Sequence, residues 1–263
     1  MKILVTVAEE AAVDDEFDIE GNRIDERYLT YDLNEWDDYA VEEAVQIGEE
    51  NDDVEVVTVT IGPERVEETV RQALAKGTDR AVRVWDDSLA EADVLDPATK
   101  ARLIGAVARK EEPDLVLSGV QTGDDSFGAT GVALAAELDV AWAAVVNTLD
   151  LDTEAGVAHV HRELEGGLEE LTEVELPAVL TIQTGINEPR YASLRGIRQA
   201  QSKPLEAKSL DDIGLDADDL DLSLTLDSLY EPETEGEATL FEGGAEETAG
   251  ELADLLHEKG VEA

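Results

Sequence analysis

The sequence contains no cysteine among its 263 residues. This absence excludes disulfides, thiolate catalysis, and zinc or iron–sulfur sites held by cysteine. No apolar run reaches the roughly 18 residues that a bilayer span needs, so we expect no membrane span. The chain opens on a short β-branched run, which is typical of a buried strand and unlike a signal or transit peptide. We therefore expect a soluble, cytoplasmic protein.

Basic side chains are also scarce. The chain has 19 Lys and Arg against 65 Asp and Glu, a formal net charge of −46. A surface with this much negative charge cannot neutralise nucleic-acid phosphates, so we expect no nucleic-acid partner. Hydrophobic residues still make up 43% of the chain and are regularly patterned, which excludes disorder for most of it. The composition indicates a folded protein with an acidic coat, suited to high salt, where charge is screened within about 3 Å at 1 M.

Strand and helix patterns alternate over the first part of the chain. The predicted strands are 3–7, 54–61, 81–84 and 115–119. The predicted helices are 37–49, 63–76, 97–109 and 126–138. This alternation predicts an α/β fold with a mostly parallel, Rossmann-like sheet and right-handed crossovers. In such folds ligands bind beyond the carboxyl ends of the strands.

The pattern changes after Trp142. Closely spaced strands are predicted at 143–147, 157–163, 168–174 and 178–184, with few helix signals between them. Gly166 and Gly167 look like a turn that joins two of these strands. We expect a β extension added to the α/β body.

A second boundary is predicted at Pro204, which divides the chain into an α/β domain, 1–204, and an acidic C-terminal arm, 205–263. The arm holds 19 acidic residues, and its bases are Lys208 and Lys259. Most of the arm, including 231–237, is predicted to be extended. It ends in a predicted amphipathic helix at 245–259, which needs either its own body or a partner subunit to pack on.

A glycine-rich segment, 119–131, joins the strand 115–119 to the following helix. Gly128, Ala129 and Thr130 leave the first backbone N–H groups of that helix unobstructed, which favours phosphate binding at its N-terminus. The segment is not a Walker A loop, because no Gly-Lys-Ser/Thr follows, and it lacks GxGxxG. The alternative is an ordinary βα loop in which Ser126 caps the helix.

The segment 187–203 is the conspicuously basic part of the chain, with four bases and one acid. A positive, aromatic-containing loop on an anionic protein favours contact with an anionic ligand or a partner. The alternative is pairing with the chain's own acidic coat. His159 and His161 alternate on one strand face, but no third metal ligand accompanies them, and we expect surface residues. No Ser-His-Asp arrangement is visible.

These residues also carry a family resemblance. Residues 160–171, VHRELEGGLEEL, followed by LPAVLT at 176–181, resemble the signature of the electron transfer flavoprotein beta subunit. NEPRYASL at 187–194 is similar to the loop that follows it in that family. Asn34, the helix around 40–45 and Gly62-Pro63 also match, so the likeness covers about residues 1–204, and the chain resembles an acidic, haloarchaeal-type member. The interval from 167 to 177 is one residue longer than the family pattern, which predicts a bulge in that strand.

The resemblance implies an adenine nucleotide alpha hydrolase-like fold and a heterodimer with an alpha subunit. One FAD is shared with that subunit, and AMP or a second FAD lies in this one. The implied nucleotide contacts are Thr6, Asn34, Ile61, Asp125, Gly128, Ala129 and Thr130. Gly128 and Ala129 stand where the family often has polar side chains, so contacts there are expected through the backbone. The resemblance further implies that Leu194 anchors the partner dehydrogenases. From the basic segment itself we expect Arg190, Arg195 and Arg198 to surround this anchor, and we expect the C-terminal helix to pack on the alpha subunit.

The implied function is that of an electron carrier and not of an enzyme. Electrons come from acyl-CoA and related flavin dehydrogenases and pass to a quinone oxidoreductase; a second FAD would mark an electron-bifurcating member. The missing catalytic constellation fits this role, since the flavin supplies the redox chemistry. The alternatives are a stand-alone, stress-protein-like nucleotide-binding homodimer without flavin, and a nucleotide-phosphate hydrolase. The hydrolase is disfavoured by the missing loop lysine and metal cluster.

Overall fold

The structure is a computed structural model that describes residues 1–51, 53–220, 222, 224–231, 239–241 and 243–260. The chain divides into two compact units after Leu229. In the described residues the strands are β1 (Lys2–Thr6), β2 (Glu9–Val13), β3 (Ile19–Glu20), β4 (Arg23–Ile24), β5 (Leu29–Leu33), β6 (Glu55–Ile61), β7 (Arg80–Val84), β8 (Leu115–Gly119), β9 (Ala141–Val146), β10 (Thr148–Asp152), β11 (Val157–Leu164), β12 (Leu168–Glu175), β13 (Ala178–Ile182) and β14 (Leu205–Lys208). The helices are α1 (Glu35–Glu50), α2 (Glu67–Lys76), α3 (Pro97–Glu111), α4 (Thr130–Leu138), α5 (Leu194–Ala200), α6 (Leu210–Ile213) and α7 (Ala245–Glu258).

The first unit is built on a seven-stranded sheet in the order β14-β7-β6-β1-β8-β13-β9. Every neighbouring pair in it is parallel. The predicted α/β fold with a parallel, Rossmann-like sheet is therefore confirmed. The four strands predicted in the first half lie within one residue of their observed bounds, because each is a nearly continuous buried apolar run.

Helices cover both faces of this sheet. Along β1, Ile3 and Val5 face the side of α1, and Leu4 faces the side of α3 and α4. This alternation follows the period of two of a strand, and the strand runs are apolar on both faces because both faces are covered. The layers place the ends of β1 and β8 next to the first turns of α1 and α4.

The second half of the unit differs from the predicted β extension. β9 and β13 join the parallel sheet, and only β10, β11 and β12 form a separate antiparallel sheet. Gly166 and Gly167 form the predicted turn, with φ of 76° and 73°. The predicted bulge is wrong, because the described pairing of β11 with β12 runs from Val157↔Glu175 to Leu164↔Leu168 without a shift of register.

One strand and one helix form where the sequence predicted an arm and a loop. Residues 205–208, which the sequence assigned to the arm, form β14 at the edge of the central sheet, where Leu205 packs beside Ala81. Four residues with one inward apolar position carry too weak a pattern to predict a strand. Residues 194–200, expected as part of a basic loop, form the short helix α5, which is capped at its N-terminus by Ser193.

The second unit contains the predicted C-terminal helix, α7. None of its residues is buried within the described chain, and Leu252 and Leu256 are exposed on it. Most of the segment 231–237, predicted to be extended, lies outside the described residues. Among the helices described, none is long and apolar enough to cross a membrane.

Candidate functional site

A polar cleft opens at the carboxyl ends of β1, β6 and β8. The chain proceeds from β1 through β6 to β7 and then returns to place β8 on the other side of β1. Such a reversal of strand order leaves a crevice between the two strands, where ligands bind in open α/β sheets. The cleft has a volume of about 920 Å³ including its open mouth.

The structure brings together all seven residues that the resemblance implied as nucleotide contacts. They line this one cleft from four different parts of the chain: Thr6, Asn34, Ile61, Asp125, Gly128, Ala129 and Thr130. Thr6 ends β1, Ile61 ends β6, and Asn34 immediately precedes α1. The remaining four come from the segment between β8 and the first residue of α4.

Asp37 lies beneath the cleft and was not predicted. Its carboxylate accepts hydrogen bonds from the backbone N–H of Ala8 at 2.8 Å and of Gly119 at 2.9 Å. It also accepts from Asn34 Nδ2 at 3.0 Å and from Thr6 Oγ1 at 3.3 Å. One side chain on the first turn of α1 thus holds the ends of β1 and β8 and two cleft residues in fixed positions.

Burial dominates the titration of this carboxyl. Removal from water raises the pKa of Asp37 to about 6, although the hydrogen bonds from Asn34, Ala8, Gly119 and Thr6 act in the opposite direction. Sequence reasoning could not single out Asp37 among 65 acidic residues. The available signal was its place three residues after Asn34, in the first turn of a predicted helix.

Asn34 has a free acceptor inside the cleft. Its Nδ2 donates to Asp37 and, at 2.9 Å, to the backbone carbonyl of Gln121. Its Oδ1 is buried and has no donor among the described residues. Buried polar atoms are nearly always hydrogen-bonded in native proteins, so this oxygen is available to a donor that enters the cleft, either a water molecule or a ligand.

The first turn of α4 borders the cleft without a side-chain cap. The helix begins at Thr130 and not at residue 126, because Ser126 and Gly128 have φ of 51° and 60°. The alternative, in which Ser126 caps the helix, is therefore wrong; Ala129 occupies the capping position, and no side chain in the described residues caps it. The first N–H groups of an uncapped helix are free to bind an anion.

Gly131 brings this helix close to the sheet. A Cβ atom at Gly131 would lie 2.5 Å from Cγ2 of Thr181, too close for two non-bonded carbon atoms. At Gly128, in contrast, a Cβ would meet nothing closer than 3.9 Å. Gly131 is thus needed for packing, and the space beside Gly128 belongs to the cleft.

A lysine reaches the cleft from α3. Lys100 forms an ion pair with Asp125, whose Oδ1 also accepts from Thr122 Oγ1 and from the backbone N–H of Phe127, both at 3.0 Å. Burial raises the pKa of Asp125, but Lys100 and the Phe127 N–H outweigh it and hold the pKa below its ordinary value. Lys100 could not be identified from the sequence because it lies outside the glycine-rich segment.

The predicted docking residues fall into two groups. Leu194 is 78% exposed on the first turn of α5, and Arg195 and Arg198 are exposed beside it without an ion pair to any other described residue. Tyr191, which was not among the predicted docking residues, is 99% exposed next to them. Arg190 differs, because its guanidinium pairs with Glu42 at 2.8 Å and Glu49 at 2.6 Å on α1.

The two strand histidines face acids of β12. His159 Nδ1 lies 3.6 Å from Glu173, and His161 Nε2 lies 3.4 Å from Glu169. A group of three or more His or acidic ligands that could hold a metal ion is not found in the part of the chain that the structure describes.

The parallel sheet and the polar cleft at its reversal point place the protein in the class of doubly wound α/β proteins. A sequence model described as the electron transfer flavoprotein domain matches residues 22–213. The chain is 47% identical over 264 residues to the electron transfer flavoprotein subunit beta of Methylophilus methylotrophus, covering 98% of each. It is 32% identical to the Bacillus subtilis subunit beta over 97% of each, and 40% identical to the Sus scrofa subunit beta over 72% of each.

The chain therefore belongs to the electron transfer flavoprotein family, and the relatives described above are beta subunits. The resemblance stated from the sequence motifs is confirmed.

Proposed function

We propose that the protein is the beta subunit of a heterodimeric electron transfer flavoprotein, which carries electrons from flavin dehydrogenases to a quinone-linked oxidoreductase. The observation that carries the proposal is the similarity to a beta subunit over 98% of the chain. FAD, shared with the alpha subunit, supplies the redox chemistry when bound. This chain's residues then position a nucleotide and present a surface to partners.

The cleft is the proposed site of an adenine nucleotide. Three features support this: the orphaned Oδ1 of Asn34, the uncapped first turn of α4, and the ammonium group of Lys100. The first can accept a hydrogen bond from an amino or hydroxyl group, and the other two attract a phosphate. We propose AMP as the occupant, with a second FAD, and hence electron bifurcation, as the alternative.

The exposed side of α5 is the proposed docking surface for dehydrogenases such as acyl-CoA dehydrogenases. An apolar anchor ringed by charge suits a transient complex, since the anchor gives affinity and the charges assist encounter. Leu194 supplies the anchor, and Arg195 and Arg198 supply the charge. We propose that α7 packs on the alpha subunit through the exposed side chains of Leu252 and Leu256.

The charge of −46 supports a further proposal, that the protein works in the cytoplasm of a cell that accumulates salt. In such a cell, salt screens exposed charges within a few ångströms, since the Debye length is about 3 Å in 1 M salt. The apolar anchor then contributes more to partner recognition than the arginine rim does.

The test is co-expression with the alpha-subunit gene, purification, and acid extraction of the cofactors. We expect a yellow heterodimer that releases one FAD and one AMP. Two FAD would support the bifurcating alternative. A colourless homodimer would contradict the proposal and favour the stress-protein-like alternative.

A further inference from the structure

The charge around the cleft is unfavourable to an anionic ligand. Its carboxyl groups belong to Glu9, Asp37, Asp124 and Asp125. Among the described residues that line it, Lys100 is the single cation. A nucleotide phosphate carries between one and two negative charges at neutral pH. One nearby cation and the N–H groups of α4 attract such a phosphate group, whereas the carboxylates repel it.

Lys100 is already held at the cleft. The side chain is only 26% exposed, on the first turns of α3, and its ammonium group lies against Asp125. Asp125 is in turn fixed by Thr122 and by the N–H of Phe127. A lysine restrained in this way has lost most of its side-chain entropy before any ligand arrives, which lowers the cost of binding.

We propose that Lys100 recognises the phosphate group, so that the cleft selects a phosphorylated adenine nucleotide over the corresponding nucleoside. The inference rests on the proposed function, in which an adenine nucleotide occupies this cleft. Lys100 and the uncapped N–H groups of α4 border the same space. The ammonium group then lies between two anions, the phosphate and Asp125, and offsets the repulsion between them.

The proposal separates the phosphate from the rest of the ligand. Asn34 lines the cleft, and its Oδ1, which has no donor among the described residues, is available to the nucleoside part. Lys100 acts only on the charged part. Loss of its charge should therefore weaken the binding of AMP and leave the binding of adenosine unchanged.

The experiment compares the Lys100→Gln variant with wild type in the heterodimer, after dialysis to remove bound nucleotide. Calorimetric affinities are measured for two probes, AMP and adenosine. Arg102→Gln is the matched control, because Arg102 is a cation on the same helix that pairs with Asp219 at 3.8 Å and does not line the cleft. A second variant, Lys100→Arg, keeps the charge. FAD content and melting temperature show that each variant is folded.

We expect Lys100→Gln to weaken AMP binding by about 10- to 100-fold, the loss typical of one charged hydrogen bond, and to change adenosine binding less than twofold. Arg102→Gln should change neither affinity, and Lys100→Arg should retain the preference for AMP. An equal loss for both ligands, or no loss for either, would overturn the inference and leave the nucleotide site standing. A wild-type heterodimer that binds neither probe would contradict the nucleotide site itself, and this inference with it.

Discussion

The Nε of Arg190 donates to Oε2 of Glu42 at 2.8 Å and thereby ties the segment before α5 to the middle of α1. Glu42 is only 4% exposed in its side chain. Burial raises its pKa, but hydrogen bonds from Arg190 and Gln46 outweigh the burial and hold the pKa below its ordinary value. The same helix carries Asp37 at the cleft, so one rigid element positions both candidate sites.

This pairing gives Arg190 a different expected behaviour from its neighbours. Replacing Arg190 with Met leaves the buried Glu42 carboxylate without its cation and should lower stability by about 1–3 kcal/mol. Arg195→Met is the matched control, because Arg195 is exposed and pairs with no other described residue. Urea unfolding of both variants should show a lower free energy of unfolding for Arg190→Met alone. Equal, unchanged stabilities would mean that the ion pair contributes nothing.

The docking surface predicts an opposite pattern for Leu194. Truncation of Leu194 to Ala removes apolar area that only a partner buries. If the partner pocket covers this side chain fully, the free energy of binding should weaken by about 2 kcal/mol. Electron transfer from a dehydrogenase should then slow by more than about tenfold, with FAD content and melting temperature unchanged. Stopped-flow reduction of the flavin measures the rate. A lowered melting temperature with normal kinetics would make Leu194 a structural residue.

Asp37 predicts a pH dependence of stability. Its pKa is about 6 in the folded chain against an ordinary 3.8, so the folded state holds the proton in the interval between them. The contribution of Asp37 to the free energy of unfolding is therefore fully present below pH 3.8, and it is lost as the pH rises through about 6. The difference of about two pKa units corresponds to about 3 kcal/mol.

The measurement is urea unfolding of wild type and Asp37→Asn from pH 4 to pH 7. The wild type should lose more stability over this interval than the variant, which cannot titrate at this position. Parallel pH profiles would show that Asp37 does not titrate in this range.

Gly131 predicts a packing defect. Gly131→Ala places a Cβ against Thr181 and should destabilise the fold by about 1–3 kcal/mol, the usual cost of overpacking. Gly250→Ala is the control, because it makes the same change in α7 with nothing within 4 Å of the added atom. There alanine should be neutral or stabilise the helix by up to about 1 kcal/mol. Thermal unfolding distinguishes the two, and an unaffected Gly131→Ala would show that α4 moves freely from the sheet.

Gly128 lies at the cleft and not in the packing. Gly128→Val fills the space beside α4 and should reduce the AMP content of the purified heterodimer, because the added side chain blocks backbone approach. Its φ of 60° adds strain of about 1–2 kcal/mol. The nucleotide is measured by chromatography after acid extraction. Full AMP content would show that the phosphate does not approach the backbone there.

The sequence predicted the parallel sheet because its strands are continuous apolar runs with helical patterns between them. It did not predict α5 or β14, because seven and four residues carry too little periodicity against a polar background. Gly128, Ala129 and Thr130 were singled out by the glycine-rich segment before a helix, whereas Thr6, Asn34, Ile61 and Asp125 came from the family resemblance alone. Asp37 and Lys100 were missed for another reason: their importance depends on which strand ends and loops they meet in space, and a chain so rich in acids hides a single buried carboxylate.

In the function proposed above, this chain is one half of an electron carrier. The most direct measurement mixes the co-purified heterodimer with a substrate-reduced flavin dehydrogenase and follows the absorbance of the heterodimer's own FAD. We expect this flavin to be bleached by the dehydrogenase and its colour to return when a quinone oxidoreductase is added. A heterodimer without flavin, or a flavin that stays oxidised with every flavin dehydrogenase of the source cell, would contradict it.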